Sequence, residues 1–89
     1  MTGKIIPTIF AKTKKQFNER LKKLLPITEE LHIDFMDGKF VKARGIKIKD
    51  LPNLQKYNKK FEAHLMVMNP AKYMLTLKKK GFKKIIFHY

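Results

Sequence analysis

The sequence predicts a single α/β domain built on a parallel β-sheet. Four short segments are apolar and rich in β-branched residues, as buried strands are, and three segments of helical character lie between them. Because the helical segments are of crossover length, successive strands are expected to run in the same direction. The 89 residues, of which 44% are hydrophobic, suffice for one small domain spanning 1–89.

The first strand is predicted over residues 4–11, and a helix follows it. Thr13 and Gln16 have the spacing of a capping box, in which two side chains bond backbone N–H groups at the start of a helix. Apolar residues then recur on one helical face until Pro26, which ends the helix.

The second strand is predicted over residues 30–36, and a long loop follows it. A short helix is expected to begin at Leu51 and Pro52, because proline is well tolerated in the first helical turn. This helix is expected to turn Leu54 and Tyr57 inward.

The third strand is predicted over residues 61–67 and the fourth over 83–89. Between them, Asn69 and Pro70 form a cap and first-turn pair that begins a third helix. Gly81 has the position of the left-handed residue that ends many helices. The predicted order of elements is therefore β-α-β-α-β-α-β.

Composition excludes several classes of function. The chain has no cysteine and no serine, which excludes disulfides, thiolate and serine nucleophiles and cysteine-based zinc sites. The apolar stretch near the N-terminus is broken by Pro7 and Thr8 and is too short for a signal peptide or a membrane span. A cytoplasmic protein without a membrane partner is expected.

The net charge of +14 invites a nucleic-acid interpretation. Nineteen of the 21 basic residues are lysine, however, whereas base readout favours arginine, asparagine and glutamine. Most aromatic residues lie within apolar runs rather than between the charges, where single-strand binding would need them. We therefore expect a solvated, lysine-rich surface and no specific nucleic-acid partner, although the same positive field would attract a phosphorylated small molecule.

The second predicted strand has an unusual polar face. Its alternate residues His32, Asp34 and Met36 point to one side, and its leucine, isoleucine and phenylalanine point to the other. An imidazole, a carboxylate and a thioether in a row suit a metal site or an acid–base site better than a solvated face. Since unpaired burial of such groups is costly, and His64 lies on the next strand, a metal or catalytic role is favoured.

Polar side chains lie toward the carboxyl ends of all four predicted strands. They are Thr8, His32 with Asp34, His64 and His88. Because ligands of parallel α/β folds bind at this edge of the sheet, these residues are expected to form one site. Plainer interpretations stay open for Thr8 as an ordinary strand residue and for His88 as a frayed terminal group. They also stay open for the methionines Met36 and Met66 as core filler.

Four blocks of the sequence resemble the first half of the ribulose-phosphate 3-epimerase family. The blocks are PTIF, LHIDFMDGKFV, EAHLMVMNPAKYM and GFKKIIFHY, in this order and spacing. The resemblance implies a half-barrel, the first four strands of a TIM (β/α)8 barrel. It also implies interconversion of ribulose 5-phosphate and xylulose 5-phosphate by proton transfer at carbon 3. Related ketose-phosphate 3-epimerases, such as the allulose-6-phosphate enzyme, share the blocks and remain an alternative.

The resemblance also implies roles for individual residues. It implies a divalent metal (Zn, Fe, Mn or Co) with His32, Asp34 and His64 as ligands, and Asp34 also as a catalytic acid–base carboxylate. The expected substrate-binding residues are Thr8, Met36, Met66 and His88. Thr8 keeps the hydroxyl of a family serine. Residues 42–45 depart from the Pro-Asn and glycine-rich turn of the family, so a substrate role for this loop stays open.

The resemblance places the fourth metal ligand, the second catalytic carboxylate and the phosphate site on later strands of the barrel. Three hypotheses follow. The chain is an epimerase N-terminal half (either a fragment or a chain that a separate C-terminal half-barrel completes), a homodimer of half-barrels, or a non-catalytic basic binding module. The first predicts negligible epimerisation by this chain alone. The joint presence of His32, Asp34 and His64 argues against a pure binding module.

Overall fold

A four-stranded parallel sheet forms the centre of the computed structural model, which describes residues 6–38, 42 and 44–87. Its strands are β1 (Thr8–Ile9), β2 (Glu30–Met36), β3 (Lys60–Met66) and β4 (Phe82–Phe87). They lie side by side in chain order, and every neighbouring pair is parallel. In a barrel each strand is added beside the preceding one, as here, whereas in a doubly wound sheet the direction of strand addition reverses once. The predicted α/β half-barrel fold is confirmed.

Two α-helices of the described residues cover the sheet; the first begins and the second ends as the sequence patterns indicate. Helix α1 (Lys14–Leu24) is capped by Thr13, whose Oγ1 accepts a hydrogen bond of 3.1 Å from the backbone N–H of Gln16. Helix α2 (Met74–Lys80) continues a 3₁₀ turn that begins at Pro70. Gly81 ends α2 with a φ of 112°, a left-handed conformation that glycine adopts without strain.

Three predicted details are wrong or only partly met. The first described strand covers only Thr8–Ile9, and residues 4 and 5 of the prediction lie outside the described residues. The helix expected after Leu51 is absent from the described chain, where two 3₁₀ turns stand instead, Ile48–Asp50 and Gln55–Tyr57. Leu51 is extended, with ψ of 142°, because the following proline disfavours the helical conformation. The side chain of Asn69 makes no capping hydrogen bond.

Lys80 ties α2 to this irregular crossover. Its ammonium donates hydrogen bonds to the backbone carbonyls of Leu51 at 2.7 Å, Ile48 at 2.9 Å and Lys49 at 3.2 Å. Burial lowers the pKa of Lys80 below its ordinary value, the charge of Asp50 opposes that shift, and Lys14 adds to it. One cation therefore binds three carbonyls of this segment, of which that of Ile48 also accepts a hydrogen bond of 3.1 Å from the backbone N–H of Leu51.

The hydrophobic core lies between the helices and one face of the sheet. The strand residues in it are Ile9, Leu31, Ile33, Phe35, Phe61, Ala63, Leu65 and Phe82. Phe17 and Leu21 of α1 and Leu77 of α2 pack onto the same cluster. The alternate strand residues point to the other face, here called the inner face, which the described helices leave uncovered. No helix in the described ranges is long and apolar enough to cross a membrane.

Candidate functional site

The register of the four strands arranges the inner-face residues in rows. The row at the amino ends of β2 and β3 holds Glu30 and Lys60, and the three rows above it are numbered here. The first row holds Thr8, His32, Glu62 and Lys84. The second row holds Asp34, His64 and Ile86. The third row, at the carboxyl ends of the strands, holds Met36 and Met66. The structure therefore gathers most of the predicted site residues on one surface.

Asp34 and His64 form the centre of this surface. They are register partners on β2 and β3, and Oδ1 of Asp34 lies 3.5 Å from Nδ1 of His64. Both side chains are half-buried, so the pair is shielded yet open to a small molecule. A carboxylate beside an imidazole provides a proton acceptor and two donor atoms suited to a divalent cation.

His32 and Glu62 form a second pair in the row below. Nε2 of His32 lies 2.5 Å from Oε2 of Glu62, and the other carboxylate oxygen lies 3.5 Å from Nζ of Lys84. Sequence analysis did not assign Glu62 a role, although its spacing of two residues from His64 places it on the same strand face. Its contact with His32 depends on the register between β2 and β3, which alternation alone does not define.

The predicted metal ligands are only partly assembled. Within residues 6–38, 42 and 44–87, no group of three or more histidine, aspartate or glutamate side chains is arranged to hold a metal ion. The structure brings Asp34 and His64 together, whereas Nε2 of the third predicted ligand, His32, contacts Glu62. The ligand assignment therefore remains a prediction, supported by the chemistry of the donors and by the proximity of two of them.

The predicted substrate-binding residues occupy the first and third rows. Thr8 is exposed and pairs with His32, while Met36 and Met66 are half-buried neighbours at the carboxyl edge of the sheet. His88 lies outside the described residues. These positions suit contact with a ligand, and the substrate-binding roles of Thr8, Met36, Met66 and His88 stay predictions.

Asp37 joins the loops that follow β2 and β3. Its Oδ2 accepts a hydrogen bond of 2.9 Å from the backbone N–H of Met68. Gly38 follows with a φ of 78°, a left-handed conformation that glycine adopts without strain. This link joins two loops at the carboxyl edge of the sheet across 31 positions of chain, so no local sequence pattern indicates it.

A cavity of about 500 Å³ opens near the same edge, on the side of the sheet that carries the helices. Its apolar lining includes Phe35, Ile46, Ile48 and Val67, and its basic lining consists of Arg44, Lys47, Lys49 and Lys72. None of His32, Asp34 and His64 lines it. Met36 of the third row and the neighbouring Asp37 also line the cavity, so it borders the carboxyl edge of the inner face. We place the candidate site on the inner face because the acid–base groups converge there.

Comparison with known proteins agrees with the sequence blocks. A sequence model described as the ribulose-phosphate 3 epimerase family matches residues 4–89. The chain is 41% identical over 59 residues to the cytoplasmic isoform of ribulose-phosphate 3-epimerase from Oryza sativa subsp. japonica. This match covers 65% of the chain and 26% of that relative, so the matched segment spans about a quarter of the relative's length.

Proposed function

Because this chain belongs to the ribulose-phosphate 3-epimerase family, we propose that it supplies part of the active site of a metal-dependent ketose-phosphate 3-epimerase. The reaction would interconvert ribulose 5-phosphate and xylulose 5-phosphate through an enediolate. The observation that carries the proposal is the pairing of Asp34 with His64 on the inner face, at 3.5 Å. By analogy with the rice relative, which is a cytoplasmic isoform, the cytoplasm is the proposed compartment.

Asp34 is the proposed proton carrier at carbon 3. Its carboxylate is half-buried, which strengthens its interaction with a bound substrate, and His64 limits its orientation. Inversion at carbon 3 requires a second proton carrier on the opposite face of the substrate. The other described carboxylates of the inner face lie in lower rows, where Glu62 contacts His32 and Lys84, and Oε1 of Glu30 lies 3.9 Å from Nζ of Lys60. We therefore assign the second carrier to a further half-barrel.

The donor set fits a divalent cation chemically. His32, Asp34 and His64 would provide two imidazoles and one carboxylate, a set that Zn²⁺, Fe²⁺, Mn²⁺ and Co²⁺ accept. When bound, such a cation supplies Lewis-acid polarisation of the substrate carbonyl. The methionines Met36 and Met66 would line the adjacent edge of the site with polarisable, weakly hydrated surface.

The further half-barrel would also complete the sheet. Strands β1 and β4 lie at the two ends of the strand order, and among the described residues each has a neighbouring strand on one side only. Unpaired edges favour the addition of further strands. Because two chains with a net charge of +14 repel each other, the charge disfavours a second copy as the partner and favours a less basic half-barrel. The same positive charge attracts the phosphate of the substrate.

Reconstitution of the barrel tests this function. We would mix the 89-residue chain with a polypeptide that carries strands five to eight of the rice relative, add Zn²⁺ or Mn²⁺, and supply ribulose 5-phosphate in deuterated solvent. The mixture is expected to form xylulose 5-phosphate with deuterium at carbon 3, whereas the chain alone is expected to show epimerisation no faster than the buffer. Asp34 alone would allow at most slow proton exchange without inversion.

Two outcomes would contradict the proposal. Turnover by the isolated chain at an ordinary enzymatic rate would show that no further half is needed. A folded, metal-loaded mixture that exchanges no proton with either ribulose 5-phosphate or allulose 6-phosphate would show that the chain is not an epimerase half. Exchange with allulose 6-phosphate alone would transfer the assignment to the related hexulose-phosphate enzyme.

Loss of metal in a His64→Ala variant is a second expected result. The reconstituted protein is expected to retain about one equivalent of a divalent transition metal, and removal of one imidazole from the site should release it. Metal content after gel filtration, measured by elemental analysis, gives the readout. Glu29→Ala, which removes an exposed carboxylate away from the inner face, is the control. Equal metal content in His64→Ala and Glu29→Ala would show that His64 is not a ligand.

A further inference from the structure

We propose that the cavity on the helix side of the sheet binds a small organic anion, meaning a ring-bearing apolar body that carries a phosphate, sulfate or carboxylate group. The cavity measures about 500 Å³, which lies within the range of pockets that hold small molecules. Met36 borders it at the carboxyl edge of the sheet, but His32, Asp34 and His64 do not line it. The proposal involves no metal ion and does not rest on the proposed function.

The cavity borders the crossover between β2 and β3, which is not a regular helix. Residues 48–57 hold two 3₁₀ turns, and Ile48 of the first turn lines the cavity. Phe35, near the end of β2, and Val67, just after β3, line it from the sheet. The cavity therefore lies where an irregular segment packs incompletely against the ends of two parallel strands.

The floor of the cavity is apolar and well buried. It consists of Phe35, Ile46, Ile48 and Val67, none of which is more than 6% exposed. These side chains offer no hydrogen bond to water, so an apolar ligand body would replace water there favourably. The half-buried ring of Tyr73 also lines the cavity and provides a flat surface on which a ligand ring can stack. The floor therefore favours a ring-bearing ligand.

The mouth of the cavity is basic. The exposed cationic side chains that line it are Arg44, Lys47, Lys49 and Lys72. Among the described residues, no carboxylate forms an ion pair with any of the three lysines. Asp37 is the acidic residue of the lining, and its Oδ2 accepts a hydrogen bond from the backbone N–H of Met68. The cations outnumber this carboxylate, so the mouth keeps a positive charge that an anionic group would neutralise.

One of these cations is held in place before any ligand binds. A Cβ atom at Gly38 would lie 3.2 Å from Nε of Arg44, so the guanidinium packs closely against this glycine. The next residue, Gly45, donates a backbone hydrogen bond of 2.9 Å to the carbonyl of Met36. The segment that carries Arg44 is therefore anchored at the end of β2, and a planar guanidinium suits the oxygens of a phosphate or carboxylate.

The combination of a basic mouth and an apolar floor decides which anions fit. Inorganic phosphate would meet the cations but leave the floor in contact with water. A ketose phosphate would place hydroxyl groups against Phe35, Ile46 and Val67, whose side chains form no hydrogen bonds. An aryl phosphate satisfies both parts of the lining. The cavity thus differs in ligand class from the sugar-phosphate site proposed on the inner face.

The experiment compares three compounds on the 89-residue chain. Naphthyl phosphate has both the ring and the charge, inorganic phosphate has only the charge, and naphthalenemethanol has only the ring. Methyl ¹H–¹³C spectra recorded during each titration give the affinity and the place of binding. The methyl groups of Ile46 and Val67 report on the cavity, and those of Ile86 report on the inner face.

Two pairs of variants test the mouth of the cavity. Lys47→Gln combined with Lys72→Gln removes two lining cations, and Lys22→Gln combined with Lys23→Gln removes the same charge from the last turn of α1, outside the cavity. Thr76→Phe places a ring at an exposed lining position of α2. Its control is Leu75→Phe, because Leu75 is 64% exposed and does not line the cavity.

Naphthyl phosphate is expected to shift the methyl signals of Ile46 and Val67, to leave those of Ile86 unchanged, and to bind at least about tenfold more tightly than either other compound. The loss of Lys47 and Lys72 should weaken its binding about two- to fivefold per cation, since exposed ion pairs are individually weak. The α1 control should change binding by less than about twofold, because it lowers only the overall charge, which salt screens. Thr76→Phe should abolish the cavity shifts, and Leu75→Phe should preserve them.

Four results would overturn the inference. They are the largest shifts at Ile86, equally tight binding of inorganic phosphate or of the neutral alcohol, equal loss of affinity in the two double-lysine variants, and no saturable shift with any compound. The comparison of compounds uses the unmodified chain, so a variant that does not fold still leaves this test. Epimerisation by the reconstituted barrel is a separate measurement, so failure of either proposal is distinguishable from failure of the other.

Discussion

Asp34→Asn is expected to lower the epimerisation rate of the reconstituted barrel by about 10³-fold, within the 10²- to 10⁴-fold range typical of general acid–base groups. The amide has nearly the same shape as the carboxylate but cannot take up a proton, so carbon 3 loses its proton carrier on one face. The change also weakens a proposed metal ligand. Steady-state conversion of ribulose 5-phosphate and deuterium incorporation at carbon 3 provide the measurements.

The matched control for this variant is Asp50→Asn. Asp50 lies in the 3₁₀ turn that packs against α2, away from the inner-face rows, so its amide variant should retain the unmodified rate. Metal content and circular dichroism of both variants separate loss of chemistry from loss of metal or fold. An Asp34→Asn protein that is folded and epimerises within a factor of about three of the control would exclude Asp34 as the proton carrier.

Phe82→Ala is expected to destabilise the chain by about 3–5 kcal/mol. The Phe82 ring is buried and makes edge-to-face contacts with Phe35 and Phe61, whose ring centroids lie 5.8 and 6.2 Å away. Truncation would leave a cavity where β2, β3 and β4 share one aromatic cluster. Because the whole stability of a small domain is about 5–15 kcal/mol, much of the population is expected to unfold at physiological temperature.

Urea denaturation followed by circular dichroism measures this effect. Ile27→Ala is the control, since Ile27 is 73% exposed and its truncation should change the free energy of unfolding by no more than about 0.5 kcal/mol. A Phe82→Ala protein with the urea midpoint of the Ile27→Ala protein would show that the aromatic cluster does not hold the strands together.

The assignment of residues to the two faces of the sheet follows from the sequence by itself. Alternation in β2 places His32, Asp34 and Met36 on the inner face and apolar residues in the core, because side chains of a strand point to opposite sides in turn. The capping pair Thr13 and Gln16 is equally local, since it depends on residues three positions apart. Together with four sequence blocks, these patterns were sufficient to predict the half-barrel and the family.

Tertiary structure alone decided which polar groups meet. Glu62 contacts His32 across 30 positions of chain, and Asp34 lies beside His64, because β2 and β3 pair in one particular register. A shift of one residue would reverse the facing of every side chain in a strand, and no local pattern reports the distance between two atoms on different strands.

The segment between β2 and β3 shows the same limit. Proline at the first turn predicted a helix, but residues 48–57 form two 3₁₀ turns instead. The carbonyl of Leu51 accepts a hydrogen bond from the ammonium of Lys80, about 30 positions later in the chain. Where the backbone hydrogen bonds of a segment are completed by a distant side chain, its conformation is decided by packing and cannot be deduced from local propensity.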